Sequence, residues 1–242
     1  SNDDKIHIQY HPTISEKENL QHSSKEKTLE ISDTKSTTHP SVGSSIQGIL
    51  FIVSGVSSRN DEVVLSLPRG KDLKNLTAQV DHRILSISNA KISNAKIQSN
   101  GYLLRITDSE IKNSQLTTVG IVNVFETSLT DSRIQAEHEH ISADDIQIHG
   151  RVELETEKDM TLKLTQKEFD RINLDLSSDH GSIYHRSREG YNPNEENKED
   201  EEFSNPYKPE KKDTQDLLVA KAGRDINLPK EDVRSPSYRN HE

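Results

Sequence analysis

Between Leu76 and Val152 the apolar positions recur at a spacing of 19 that shortens to 17. One column runs Ile92, Ile111, Leu129, Ile146, a second Ile97, Leu116, Ile134, Val152, and a third Ile87, Ile106, Phe125, Ala143, with Leu85, Leu104, Asn123 and Ile141 beside it. Gly101 and Gly120 keep the same register, as do Asn94, Asn113 and Asp131, residue types that tolerate tight turns. Within a turn the inward residues fall five apart, as in Ile87, Ile92 and Ile97. A helix would ask for partners three and four apart and a straight strand for an even step, so five predicts short strands separated by corners. Stacked about 4.8 Å apart, such turns bury identical aliphatic ladders. The pattern therefore predicts an all-β fold, a single-stranded β-solenoid (β-helix-like) of parallel turns of about 17–19 residues. A β-meander has no reason to hold one register over four turns. A pentapeptide-repeat coil needs unbroken fivefold periodicity, which lapses from Ser99 to Leu103.

The flanks read as continuations of the coil. Residues 1–45 hold short alternating strands at Lys5 to Tyr10 and Thr28 to Ile31, split by a polar stretch from Ser15 to Lys27 and closed by a Ser/Thr-rich link, and they are expected to pack on the first turns. The solenoid is expected over 46–185. It starts with strands at Ile49 to Val53 and Val63 to Leu67, and past Val152 alternation continues through Leu154, Met160, Leu162, Ile172, Leu174 and Leu176 to Gly181 and Ile183. Residues 186–216, with the run Glu195 to Glu202 and Pro193, Pro206 and Pro209, are expected to form a disordered acidic insertion. Residues 217–230 supply the last strands around Gly223, and 231–242 a frayed tail.

Composition suits a thin core, because only 29% of the 242 residues are apolar and Trp is absent. A formal charge of −10 without a basic stripe argues against a nucleic-acid partner. The absence of cysteine excludes disulfides, thiolate catalysis and Cys-type metal sites. The longest apolar stretch, Gly48 to Val53, is far short of the roughly 20 residues that cross a bilayer, so any membrane attachment is expected through an anchor outside this sequence. The chain opens on Ser1-Asn2 rather than Met, as a cleaved tag would leave it. Chemistry is sparse. His138 and His140 are the candidate metal pair, expected on one face of a strand, with His149 or Asp145 as a third ligand from the adjoining turn. Asp131, Asp144 and Asp145 are the clustered carboxylates that a carbohydrate-active β-helix enzyme would need on one groove. Tyr102, Phe125 and Phe169 are too scattered to grip a sugar chain. The acidic run lacks the ordered spacing of a calcium loop. No catalytic residue and no cofactor are expected.

Five short segments carry a family resemblance: Lys-Ile-x-Ile-x-Tyr at Lys5 to Tyr10, Leu-x-Ile at Leu29 to Ile31, Leu-Pro-Arg-Gly at Leu67 to Gly70, Ser-x-x-Gly-Ser-Ile at Ser178 to Ile183, and Gly-Arg-Asp-Ile-x-Leu at Gly223 to Leu228. In that order they resemble a bacterial adhesin-like family of β-strand-repeat domains of unknown function, carried by Gram-positive surface or membrane proteins. Two features depart from the family pattern: Arg224 interrupts Gly-Asp-Ile, and the acidic insertion is extra. The resemblance implies a non-enzymatic extracytoplasmic module at the cell surface, tethered to the membrane, that binds a protein or cell-envelope component. The alternatives are a sensory ectodomain of an envelope-stress regulator and, behind it, a carbohydrate-active enzyme. Open end turns would also allow end-to-end or homodimer association.

Overall fold

The computed structural model describes residues 7–11, 20–25, 28–33, 50–54, 62–66, 72–80, 84–186 and 201–229. Strands β1 (His7–His11), β2 (Leu20–Lys25), β3 (Thr28–Asp33), β4 (Leu50–Ser54) and β5 (Glu62–Ser66) come first, then β6 (Asp72–Lys74) and β7 (Thr77–Val80). Four regular turns of three strands follow. They are β8 (Ile84–Ser88), β9 (Lys91–Ser93) and β10 (Lys96–Ser99); β11 (Leu103–Thr107), β12 (Glu110–Lys112) and β13 (Gln115–Thr118); β14 (Ile121–Phe125), β15 (Ser128–Thr130) and β16 (Arg133–Ala136); and β17 (Ile141–Asp144), β18 (Gln147–His149) and β19 (Arg151–Thr156). The chain ends through β20 (Met160–Lys163), helix α1 (Gln166–Arg171), β21 (Asn173–Ser178), β22 (Ile183–Arg186), β23 (Glu201–Phe203), β24 (Leu217–Ala222) and β25 (Ile226–Pro229).

Each turn gives its first strand to face A, its second to the narrow face C and its third to face B. Face A runs β1-β5-β8-β11-β14-β17-β20-β25-β22-β23, face B runs β2-β3-β4-β7-β10-β13-β16-β19-β24-β21, and face C runs β6-β9-β12-β15-β18. Pairing between successive turns is parallel throughout. The fold is the all-β solenoid that the spacing predicted. The polar stretch read before β3 contains β2, which pairs with β3 as an antiparallel hairpin.

The observed ladders correct the predicted ones at four places. Face A stacks Ile87, Ile106, Val124 and Ala143. Phe125 instead pairs with Thr107 and Asp144 on the outer surface, where it is 42% exposed, and Val122 takes the inner place expected of Asn123. Face C stacks Ile92, Ile111, Leu129 and Ile148, and face B stacks Ile97, Leu116, Ile134 and Leu154. Ile146 and Val152 are buried, but in other columns. Turn length therefore goes 19, 18, 19 or 20 rather than shrinking to 17. The step of 18 arises at the corner from face B to face A, and the step of 20 at the corner from face C to face B, where Ile148 and Leu154 are six apart instead of five. Three residues separate β10 from β11, and only Val119 and Gly120 separate β13 from β14. In an alternating strand a one-residue shift exchanges inside for outside.

Corners explain the fivefold step. Asn89, Asp108, Glu126 and Asp145 turn the chain from face A to face C, and Asn75, Asn94, Asn113 and Asp131 turn it from face C to face B, all with positive φ. Gly150 completes the second column at φ 62. The left-handed conformation costs most L-residues about 1–2 kcal/mol, and Asn, Asp and Gly tolerate it best. At six of these corners the next residue is small or hydroxylic and buried: Ala90, Ala95, Ser109, Ser114, Thr127 and Ser132. Ser109 and Ser114 accept hydrogen bonds from the Ala90 and Ala95 N–H groups one turn away, at 3.2 and 3.0 Å. At the third corner Gly120 lies against the backbone of Gly101 and Tyr102, where a Cβ would overlap the Tyr102 carbonyl.

The C-terminal end departs from simple winding. After β20 the chain passes through α1 to β21 and β22, which sit one rung further out than a regular turn would place them. Strands β24 and β25, last in sequence, fill the vacated rung, β24 between β19 and β21 and β25 between β20 and β22. Residues 201–216, expected inside a disordered insertion, instead form a packed strap. Strand β23 pairs antiparallel with β22, Phe203 stacks on Tyr207 with centroids 4.1 Å apart, and both rings pack on the core. The Asn205 side chain accepts from Ser178 N and donates to Ser178 O, which ties the strap to the end of β21. The acidic run from Glu195 to Asp200, the Leu-Pro-Arg-Gly segment after β5 and the tail lie outside the described residues.

Candidate functional site

Along the corner from face C to face B the left-handed residues lift the chain outward and the small residues behind them leave a trough. It has a volume of about 710 Å³ and spans four turns, lined by Asn94, Asn113 and Asp131 on the corner side and by Lys96, Gln115 and Arg133 on face B. The face B residues share one register, Lys96, Gln115, Arg133, Glu153, so amide and charged groups repeat at each rung. The charges are largely paired. Arg133 bonds Glu155, Arg151 Nε donates to Glu153 at 2.7 Å, and Asp131 accepts from the Arg151 N–H at 3.0 Å. The Asp131 carboxylate occupies the space where a side chain at position 150 would stand, so Gly150 serves both the corner and its neighbour. The Arg133 Nε atom is buried and has no hydrogen-bond partner among the described residues.

A second recess, of about 520 Å³, lies at the corner from face B to face A, between Glu157, Asp179, His180, Lys221 and Gly223. His138 reaches Glu157 beside it, with Nδ1 3.2 Å from Oε2.

The best-connected polar cluster closes the end of face C. Thr165 caps α1 by accepting from the Glu168 N–H at 3.2 Å. Glu168 is 6% exposed, and its Oε1 accepts from the Ile148 N–H at 2.6 Å. Arg171 donates to the Ile148 carbonyl, to both Glu168 oxygens and to Asp216. Two side chains thus satisfy the backbone of the last face C strand, which would otherwise be an open edge. Asp216 Oδ1 accepts from the Gly150 N–H at 2.7 Å, which fixes the start of β24. The Glu168 hydrogen bond, helped by Asp216, holds Arg171 above the ordinary arginine value against the opposing effect of burial. Burial pushes the Asp216 carboxyl up, but the Gly150 N–H and the Arg171 guanidinium outweigh it and leave the group below the usual carboxylate range.

The residues singled out from sequence do not converge. His138 and His140 sit exposed on the bend of residues 137–140, not on a strand, because β16 ends at Ala136. Asp145 and His149 flank the opposite side of the coil at either end of face C. Among the described residues no group of three His, Asp or Glu side chains is placed to hold a metal. Asp131 stands at the corner leaving face C, Asp145 at the corner entering it, and Asp144 on face A bonds Lys163 at 2.8 Å. The three carboxylates therefore share no groove, which removes the arrangement that a carbohydrate-active reading required. Tyr102 is 53% exposed and stands apart from Phe125, while Phe169 packs on the core at the C-terminal end. Glu168, Arg171 and Asp216 were missed. Their one sequence signal is Thr165-x-x-Glu168, a helix-start pattern set within a strand alternation.

Compared with known proteins, the chain matches the family model described as Toastrack DUF4097 over residues 84–229, more than half its length. No curated protein and no solved structure matches it.

Proposed function

We propose, from the premise that the chain belongs to the Toastrack DUF4097 family of β-solenoid domains of unknown function, that it is a non-enzymatic, adhesin-like binding module displayed outside the cytoplasm. It docks an extended polar ligand, a protein segment or a cell-envelope polymer, along the corner trough. The observation that carries this reading is the trough itself, four turns of amide and charged groups repeating in one register. Such a surface offers many modest hydrogen bonds to a linear partner. Small-ligand sites differ in kind, being concave, mostly apolar and enclosed.

The test is binding of the purified domain to peptidoglycan, teichoic acids, anionic lipid vesicles and host matrix proteins, beside a Gln115→Trp variant that plugs the trough. Gln115 is exposed, so the variant is expected to fold as the parent does. Saturable binding to one fraction, weakened about tenfold or more by the plug, is the expected result. Silence across the panel, or binding indifferent to the plug, overturns the reading.

A further inference from the structure

Among the described residues, the rung built by β24 and β25 is the one place where chain order and spatial order part. Strands β19 and β21 flank β24 in equivalent registers, so Val152 and Leu174 both face Leu218, Leu154 and Leu176 both face Ala220, and Thr156 and Ser178 both face Ala222. On face A, Met160 and Ile183 both face Ile226. The inner columns on either side of the slot therefore match whether the slot is filled or closed. The segment that fills it is held at its entry by Asp216 and at its bend by Asp225, whose Oδ1 accepts from Ser182 N at 2.9 Å. Residues 201–229 are joined to β22 by 14 residues, 187–200. Fully extended, that connection reaches about 46 Å, enough to pass from one molecule to another.

We propose that residues 201–229 are an exchangeable unit and that the slot between β19–β20 and β21–β22 accepts this unit from a second copy of the chain, giving a strand-swapped dimer. Both forms make the same contacts, with β24 bonded on two sides and Leu218, Ala220, Ile226 and Leu228 buried. The swapped form therefore differs in free energy mainly by the entropy of association and by the connection. Because β21 and β22 precede the unit in the chain, they can pair with β19 and β20 first. The slot then has to open for a late arrival, and at high concentration the arrival can come from a neighbour.

The absence of cysteine makes this directly measurable. Glu155 and Lys221 are paired across β19 and β24. The double variant E155C/K221C, oxidised in dilute solution, is expected to close within one chain, and failure to close would overturn the strand placement beneath the proposal. The single variants E155C and K221C are then mixed at high concentration, both in native buffer and by refolding together, and oxidised. Lys91 and Glu110, paired across β9 and β12 inside the regular coil, supply the control mixture of K91C with E110C. Exchange predicts about tenfold more disulfide-linked dimer from the slot pair than from the control pair. Equal yields from the two mixtures overturn it.

Discussion

Glu126 is the residue whose side chain suits its backbone least. It has φ 46 in a corner column otherwise filled by Asn89, Asp108 and Asp145. Its backbone N–H still continues the ladder to the Asp144 carbonyl at 3.1 Å, so the conformation is set by the coil and not by the residue. Replacing Glu126 by Asn, which the neighbouring turns use at that conformation, is expected to raise unfolding stability by about 1 kcal/mol. Urea denaturation against the parent checks this, and an unchanged or lower midpoint would count against corner strain. The same columns show how much of the fold could be read ahead. Asn94, Asn113 and Asp131 gave away one corner, since their residue types recur. Val124 and Phe125 hid the register, because an alternating strand offers two apolar sets and only the length of the preceding bend, at Val119 and Gly120, decides which faces inward. Ile146 and Ile148 posed a different ambiguity, because both are buried, two residues apart, and only the pairing of Leu129 with Ile148 decides which one continues the face C column.

Among the elements, α1 and the β24 rung depend on one another. The helix stands where face C would place its next strand, and Glu168 and Arg171 carry the hydrogen bonds that strand would have made to Ile148. Arg171 then hands on to Asp216, at the start of β24. The Asp216 carboxyl is depressed on folding, so its contribution is full above the unfolded carboxylate value of about 4 and is lost as pH falls below it towards the folded value. Asp216→Asn can still accept from Gly150 but presents an amide N–H₂ to Arg171. It is expected to cost about 2 kcal/mol at neutral pH. It should also flatten the fall in stability that the parent shows on acidification below about pH 4. Denaturation at a series of pH values reads both effects, and parallel pH profiles for parent and variant would place the acid sensitivity elsewhere. Beyond the Thr165-x-x-Glu168 helix start, sequence could not have exposed this cluster. Its members lie 45 residues apart in the case of Arg171 and Asp216, and nothing in the alternation around Leu164 and Ile172 marks the strand that the helix replaces.

The whole molecule is close to one-dimensional, since each turn touches the turns before and after it, and such architectures tolerate loss of a complete unit. Asn89 and Asp108 hold the same corner one turn apart, both left-handed. Deleting residues 90–108, 19 in all, therefore joins Asn89 to Ser109 with every later column still in register. Strand β8 would then stack on β14, and Ile87 would meet Val124 where it now meets Ile106. All three are inner aliphatic residues at most 1% exposed. The shortened chain is expected to keep a cooperative unfolding transition and a β-rich circular dichroism spectrum. Its stability should fall by the net contribution of one turn, which is a small difference between burial and chain entropy. Deleting residues 90–105 removes 16 residues from the same place and sets the strands before the cut three residues out of register with those after it, so it is expected to lose the transition altogether. If both deletions unfold, the coil is held by its two ends rather than by its repeats. The caps on β5 and β22 would then be the seat of stability and the ladders only their spacer.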